Sequence, residues 1–343
     1  MDESDPDITF NEAGVCNHCT EFTVKEWHRK RKKENLSKIV EQIKKDGEGK
    51  EYDCLLGLSG GVDSSTCLHY LRALGLRPLC FSVDNGWNTT EADENIMRLV
   101  EGARVPFYRY TIDLEKFRDL QKAFIKSGTP NIEIPTDHIL AATTYELANK
   151  YGIKWIISGG NLATESIMPS SWGYNARDLR FLRSVYRTHT GKTLAGLPTI
   201  GLLKYLMMRF VKGIRVLNLL DYYEYNRAEA IQLLSEKYGY KPYGEKHGES
   251  IFTKWFQSYY LPNKFGYDKR RPHLSSEINS GQTTREQALE ELKKPLRYFN
   301  DFQVMHELCF FDGGKLTHRD YPNSEKYWNA LSWIYQLIKK KTS

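Results

Sequence analysis

Between residues 51 and 240, short apolar runs alternate with longer stretches whose apolar positions recur every three or four residues. The short runs predict strands at 53–58, 78–83, 106–112, 153–158 and 215–220. The periodic stretches predict helices at 64–74, 89–103, 114–126, 137–151 and 227–238. This rhythm implies a doubly wound parallel sheet of the α/β class, covered by helices on both faces. Ligands of such sheets gather at the C-terminal ends of the strands. Residues 1–50 are polar, with a charged helix expected over 24–46. Residues 241–343 lose the rhythm: they are aromatic and basic, then helical over 284–293 and 324–341. Three regions result: an N-terminal segment (1–50), the α/β domain (51–240) and a substrate-shaping helical extension (241–343).

At 343 residues the chain has room for a large core, and its 40% hydrophobic and 27% charged content is that of a globular protein. The most apolar stretch, 200–220, is broken by Lys204, Arg209, Lys212 and Arg215, so a helix followed by a strand is expected rather than a membrane span. No secretory leader pattern opens the sequence. Cys54, Cys67 and Cys80 lie in apolar patterns and read as buried thiols, which suits a reducing cytoplasm. The net charge of +6 favours anionic partners, and part of it sits in the basic run 28–33. That run taken alone reads as a solvated helix face.

The strand at 53–58 leads into Ser59-Gly60-Gly61-Val62-Asp63-Ser64-Ser65 and then into a helix with Cys67, Leu68, Leu71 and Leu74 on one face. A strand, a glycine loop and a helix start bring backbone N–H groups to an anion, and the serines add hydroxyl donors. Asp63 is placed to hold Mg²⁺. No Gly-Lys-Ser/Thr follows at Walker A spacing, and the G-x-G-x-x-G of dinucleotide binders is absent. The string resembles the SGGxDS signature of the PP-loop ATP pyrophosphatases, which cleave ATP between the α- and β-phosphates. That resemblance implies an adenine nucleotide alpha hydrolase-like fold.

Other strand ends carry candidates. Asp84, in Val83-Asp84-Asn85-Gly86, could meet ribose or adenine, although Asp-Asn-Gly is also a common turn. After the fourth strand, Gly159-Gly160-Asn161 forms a second glycine turn of nucleotide-binding character, followed by Thr164 and Glu165. Glu165 is the second Mg²⁺ candidate; as a first-turn carboxylate it is equally explained by the helix dipole. The segment 264–276 carries Lys264, Lys269, Arg270, Arg271, His273 and two serines, a composition suited to pyrophosphate. The aromatics upstream, Phe252, Trp255, Phe256, Tyr259 and Tyr260, suggest a lined pocket. Cys16 and Cys19 form a C-x-x-C, either half of a structural Zn²⁺ site or a redox pair.

Taken together, these segments resemble the bacterial N-acetyl sugar amidotransferases, PP-loop enzymes that make acetamidino sugars for O-antigen lipopolysaccharide or flagellin glycans. The resemblance rests on Asp5-Pro6-Asp7-Ile8-Thr9-Phe10 with Gly14-Val15-Cys16-Asn17-His18-Cys19, on the 59–64 loop, and on 264–282. It implies ATP and Mg²⁺ as cofactors and a nucleotide-linked acetamido sugar as acceptor. Asp63, Lys264, Lys269 and Arg270 would be its catalytic residues. Members of that family carry a further C-x-x-C just upstream of the Ser-Asp-Pro-Asp stretch, which the given sequence does not show; either its start is truncated or the structural Zn²⁺ site is absent. Ammonia is expected from a separate glutaminase, and the resemblance implies partners like the histidine-biosynthesis glutaminase and cyclase pair: residue 2 is Asp, and Cys309 sits in a core-like run, so no fused glutaminase is recognisable.

The rival readings are a PP-loop tRNA-modifying enzyme and a nucleotide-binding protein without turnover. The first lacks a recognisable RNA-binding module, so nucleic acid is not expected as a partner. The second conflicts with an intact Ser59, Asp63 and Ser64.

Overall fold

The strand Cys54–Gly57 (β1) lies at the centre of a five-stranded parallel sheet of order β3-β2-β1-β4-β5. Its neighbours are β2 (Pro78–Asp84), β3 (Phe107–Thr111), β4 (Trp155–Ser158) and β5 (Arg215–Asn218). The structure is a computed structural model and describes residues 1–243, 248–296, 304, 308 and 321–341. Cys309, expected in a core-like run, lies outside the described residues.

Strand alternation explains why both faces of the sheet are covered. Cys54 and Leu56 of β1, with Trp155 and Ile157 of β4, point to one face. There they meet α2 (Leu36–Asp46), α3 (Val62–Ala73), α4 (Thr90–Ala103) and, through Leu234, α10 (Arg227–Tyr238). Leu55 and Ile156 point to the opposite face, onto Ala142 and Tyr145 of α6 (Ile134–Lys150) and onto Ile200 and Met208. Each predicted strand and each predicted helix of 51–240 has a counterpart shifted by a few residues at most. The charged helix expected over 24–46 is two helices, α1 (Asn17–Lys32) and α2, separated by a tighter turn at Lys33–Asn35.

Further helices complete the fold, among them Arg285–Lys293 and Glu325–Lys341, which match the helices expected over 284–293 and 324–341. These further helices are α7 (Leu162–Glu165), α8 (Leu179–Thr190) and α9 (Leu202–Leu206), followed after residue 250 by α11 (Ile251–Trp255), α12 (Leu261–Phe265), α13 (Arg270–Asn279), α14 (Arg285–Lys293) and α15 (Glu325–Lys341). A third apolar cluster joins α5 (Leu114–Ser127) and α8 to the C-terminal region. Phe252, Trp255 and Tyr260 are within 1% of full burial there, so these aromatics are core rather than the pocket lining their crowding suggested. The buried carboxylate of Asp178 caps α8 through the N–H groups of Arg180 and Phe181 and also accepts the N–H of Ser324, which ties the entry of α15 to α8. Cys54, Cys67 and Cys80 are buried free thiols whose pKa values burial raises, that of Cys80 to about 12. Among the described residues no helix is long and apolar enough to cross a membrane.

His138 of α6 fastens two loops. Its Nδ1–H donates to the Ala176 carbonyl at 2.7 Å, and its Nε2 accepts the Ile200 N–H at 3.2 Å, so the neutral ring is required. Burial lowers its pKa from 6.5 to about 4. Between those values the unfolded chain binds a proton that the folded chain refuses, so stability rises with pH across the window. The contribution is complete above pH 6.5 and is lost as pH falls toward 4, about 3 kcal/mol in all. Urea midpoints measured from pH 8 to pH 4 will fall through this window, and more steeply for the wild type than for His138→Gln.

Candidate active site

The chain reverses direction across the sheet between β1 and β4, since β2 and β3 lie on one side of β1 and β4 and β5 on the other. The loops leaving those two central strands therefore border the crevice where ligands of open α/β sheets bind. A cavity of about 680 Å³ opens there, bordered by Ser59, Gly61, Val62, Asp63 and Ser64 after β1 and by Gly159, Gly160 and Glu165 after β4.

The loop after β1 is fixed by its own hydroxyls. Ser65 Oγ donates to the Gly61 carbonyl at 2.7 Å, and the Gly61 N–H donates to Ser59 Oγ at 3.2 Å. Gly60 has φ +80°, and a Cβ there would meet the Ala92 carbonyl oxygen at 2.5 Å, so only glycine fits. Its carbonyl is turned away from the cavity rim and accepts from the hydroxyls of Tyr240, at 3.1 Å, and Tyr243, at 3.0 Å. Burial raises the pKa of Tyr240 to about 12, so that hydroxyl stays a donor at neutral pH. The helix that follows, α3, begins after Gly61 with no side-chain cap. Its first N–H groups and the positive end of its dipole face the cavity, which is the physical requirement for holding a phosphate.

The second loop packs directly on the first. A Cβ on Gly159 would meet the Ser64 amide nitrogen at 3.0 Å and the Asp63 Cβ at 3.3 Å. Asn161 caps α7, its Oδ1 accepting the Thr164 N–H at 2.9 Å, and this presents Glu165 to the cavity. Asp63, in the first turn of α3, accepts the hydroxyl of the buried Tyr225, whose own ionisation burial and the Asp63 charge push far upward. The opposite wall carries Glu133, Asp137 and Lys269. The Lys269 ammonium donates to the Met168 thioether at 2.8 Å. Desolvation lowers its pKa, while Glu133, Asp137 and Glu165 act in the opposite direction.

The predicted residues thus divide. Ser59, Gly61, Val62, Asp63, Ser64, Gly159, Gly160, Glu165 and Lys269 line one cavity. Gly60, Ser65 and Asn161 shape it from behind. Asp84 is taken up in its turn, where Oδ1 accepts the Gly86 N–H at 3.1 Å, and its neighbour Asn85 lines the cavity in its place. Lys264, at the end of α12, is not part of the cavity wall. Arg270 faces away, paired with Asp268 at 2.7 Å and donating to the carbonyls of Glu291 and Lys294. Proline and glycine around 264–276 suggested a loop, yet α13 starts at Arg270, with Pro272 tolerated in its first turn. Sequence reasoning missed Arg227, which opens α10, and Glu133 and Asp137, which cap and open α6, because neither helix start carries a recognisable motif.

An all-oxygen set built on Asp63 and Glu165 suits Mg²⁺, which takes one or two carboxylates plus substrate phosphates and water. The cysteine pair fits Zn²⁺ less well. Cys16 and Cys19 Sγ are 3.6 Å apart, Cys19 reaches only the Asn279 amide oxygen at 3.5 Å, and His18 is taken by Asp5 at 2.6 Å. Among the described residues no group of three or more His, Cys, Asp or Glu is placed to hold a metal ion by itself, so the four ligands of a structural zinc site are not assembled. Burial and the neighbouring Cys16 raise the Cys19 pKa, which also opposes a reactive thiolate. In the basic run, Arg29 pairs with Glu26 at 2.5 Å and donates to the Tyr223 carbonyl.

Instead of a sulfur site, the N-terminal segment is a brace. The N-terminal ammonium donates to Ser275 Oγ at 2.6 Å, Arg271 pairs with Asp2, and Trp172 Nε1 donates to the Ser4 carbonyl at 3.2 Å. These contacts seat α13, which in turn packs on α7: the Ile167 N–H donates to the buried Ser276 Oγ at 3.1 Å, and Ser280 Oγ donates to the Ala163 carbonyl at 2.8 Å.

Residues 249–335 match the family described as "LPS biosynthesis protein WbpG-like, C-terminal domain". An uncharacterized protein of Methanocaldococcus jannaschii is 23% identical over 297 residues, which is 84% of this chain and 88% of that protein. Among solved structures, the NMN synthetase from Francisella tularensis has a TM-score of 0.30 at 13% identity, covering 82% of this chain and 98% of its own. The NH3-dependent NAD synthetase from Campylobacter jejuni has a TM-score of 0.33 at 12% identity, covering 75% and 98%. At these scores the two synthetases say nothing about what this chain binds.

The contact between the two glycine loops leads to a direct test. Gly159→Ala forces the Ser64 amide to shift, which costs about 1–3 kcal/mol of stability and displaces the phosphate-facing N–H groups. Urea-melt midpoints will show that loss, while circular dichroism retains the α/β signature.

Proposed function

We propose that this chain is an ATP-dependent, AMP-forming amidotransferase acting on the acetamide of a nucleotide-linked acetamido sugar. The observation that carries the reading is the cavity itself. The uncapped start of α3 and two facing glycine loops form one side, and Lys269 comes from the segment that matches a lipopolysaccharide-biosynthesis domain.

In this reading the first-turn amides of α3 and the hydroxyls of Ser59 and Ser64 hold the β- and γ-phosphates. Mg²⁺ on Asp63 and Glu165 supplies charge neutralisation at the phosphates when bound. The acetamide oxygen attacks the α-phosphorus, a new P–O bond forms, and the α–β bridge breaks to release pyrophosphate. Lys269, and Arg227 beside it on the wall, offset the charge that gathers on the leaving group. Ammonia then adds to the imidate carbon, AMP leaves with the C–O bond, and an acetamidine remains. Asp137, whose charge Lys269 senses, is placed to take the proton that ammonia gives up. The chemistry is positioning and electrostatics, with no covalent intermediate on a side chain. Ammonia would come from a separate glutaminase.

The test is incubation with ATP, Mg²⁺, ammonium and a panel of nucleotide-linked diacetamido sugars. The expected products are AMP, pyrophosphate and a sugar in which mass spectrometry finds NH in place of oxygen; hydrolysis of ATP to ADP, or no acceptor-dependent AMP, refutes the reading. The lowered Lys269 pKa adds a second expectation. Activity should decline on the alkaline side below the usual lysine range, as the ammonium loses its proton, and Lys269→Arg should carry that limb to higher pH.

A further inference from the structure

A second cavity, of about 460 Å³, lies beside the first and shares a wall with it. Arg227, Gln257, Lys269 and His273 border both. Four residues, two of them cationic, are thus common to both linings. Residues of α13 and α14 also line the second cavity.

Its charge is the informative property. Two ion pairs cancel within the lining, Arg270 with Asp268 at 2.7 Å and Lys294 with Glu291 at 2.5 Å. In all, Arg227, Lys254, Lys269, Arg270 and Lys294 line it against Asp268, Glu277 and Glu291, with His273 beside them. The first cavity is rich in carboxylates by contrast. Arg227 is held in place by its backbone, whose N–H donates to Gln282 Oε1 at 2.9 Å, and among the described residues its guanidinium makes no ion pair. A volume of this size accepts a nucleotide-sized ligand, and a surplus of cations in a recess selects an anionic one.

We infer that the second cavity is the acceptor site. It binds a nucleoside diphosphate-linked sugar, with the diphosphate near Arg227 and Lys254, and the sugar's acetamide reaches the first cavity between Lys269 and His273. This assignment rests on the proposed amidotransferase reading and adds to it the place where the second substrate binds. It also separates two jobs that one basic segment was expected to do together. Lys269 faces the nucleotide that is cleaved, while Arg270 holds the wall of the acceptor recess by bonding to the end of α14.

The experiment titrates the full chain with α,β-methylene-ATP and with UDP-N-acetylglucosamine as probe, each alone and in the presence of the other. Simultaneous binding is expected. The UDP-N-acetylglucosamine Kd, measured with the analogue saturating, should rise by about tenfold or more in Lys254→Glu and in Leu274→Trp, while the analogue's Kd stays within about twofold. Thermal melts of both variants confirm that they fold. Mutual exclusion of the two ligands, absence of UDP-N-acetylglucosamine binding to the wild type, or a Kd that neither folded variant changes would overturn the assignment. Failure of α,β-methylene-ATP to bind the wild type would instead overturn the ATP reading of the first cavity, and the second cavity would still be judged from the sugar nucleotide alone.

Discussion

The site depends on the absence of side-chain volume where the loops after β1 and β4 meet. With no Cβ on Gly159, the Ser64 amide and Asp63 can lie against the second loop, and with none on Gly60 the first loop can pass under Ala92. The uncapped start of α3 and Glu165 thereby border a single cavity. A parallel sheet creates such a crevice wherever its strand order reverses, but the crevice becomes a phosphate site only when backbone amides can come this close.

A second dependence runs through α13. This helix presents Lys269 and His273, and it rests on α7 through Ser276 and Ser280. The first residues of the chain hold it from the other side, through Ser275, Arg271 and Asn279. Segments some 250 residues apart in the chain, 1–19 and 264–282, therefore form one structural unit with the loop after β4. The Asp5–His18 pair and the cysteines belong to that unit, which gives them a bracing role independent of any metal.

The electrostatics of the two cavities are opposed. Carboxylates dominate the first, and the desolvated Lys269 ammonium sits among Glu133, Asp137 and Glu165. Cations outnumber carboxylates in the lining of the second. The reaction proposed above would bring together two phosphate-bearing substrates that repel each other strongly. In that proposal, Mg²⁺ held by Asp63 and Glu165 beside a cationic recess, with Arg227 and Lys269 between the two cavities, would lower the repulsion where the reacting atoms meet.

The strands and helices of 51–240 were legible because alternation and 3.6-residue periodicity are local properties of a sheet covered on both faces. The loop 59–65 was legible for the same reason, since glycine and serine act on their own backbone. Helix α8 could have been read too: Asp178 precedes an amphipathic run that ends at Gly191. Burial and direction could not be read. The aromatics of 252–260 satisfy a pocket and a core equally well as a sequence; packing made Phe252, Trp255 and Tyr260 core, while Phe256 both packs there and lines the cavity. Lys264, Lys269 and Arg270 share one basic segment, yet of the three only Lys269 lines the first cavity, because a helix starting at Arg270 sends neighbouring side chains in different directions. The sequence by itself determined the sheet, its helices and the anion-holding loop, all set by short-range geometry. Which cations and carboxylates face that loop was decided only by the tertiary structure, because Glu133, Asp137, Arg227 and Lys269 meet through packing between elements that share no local pattern.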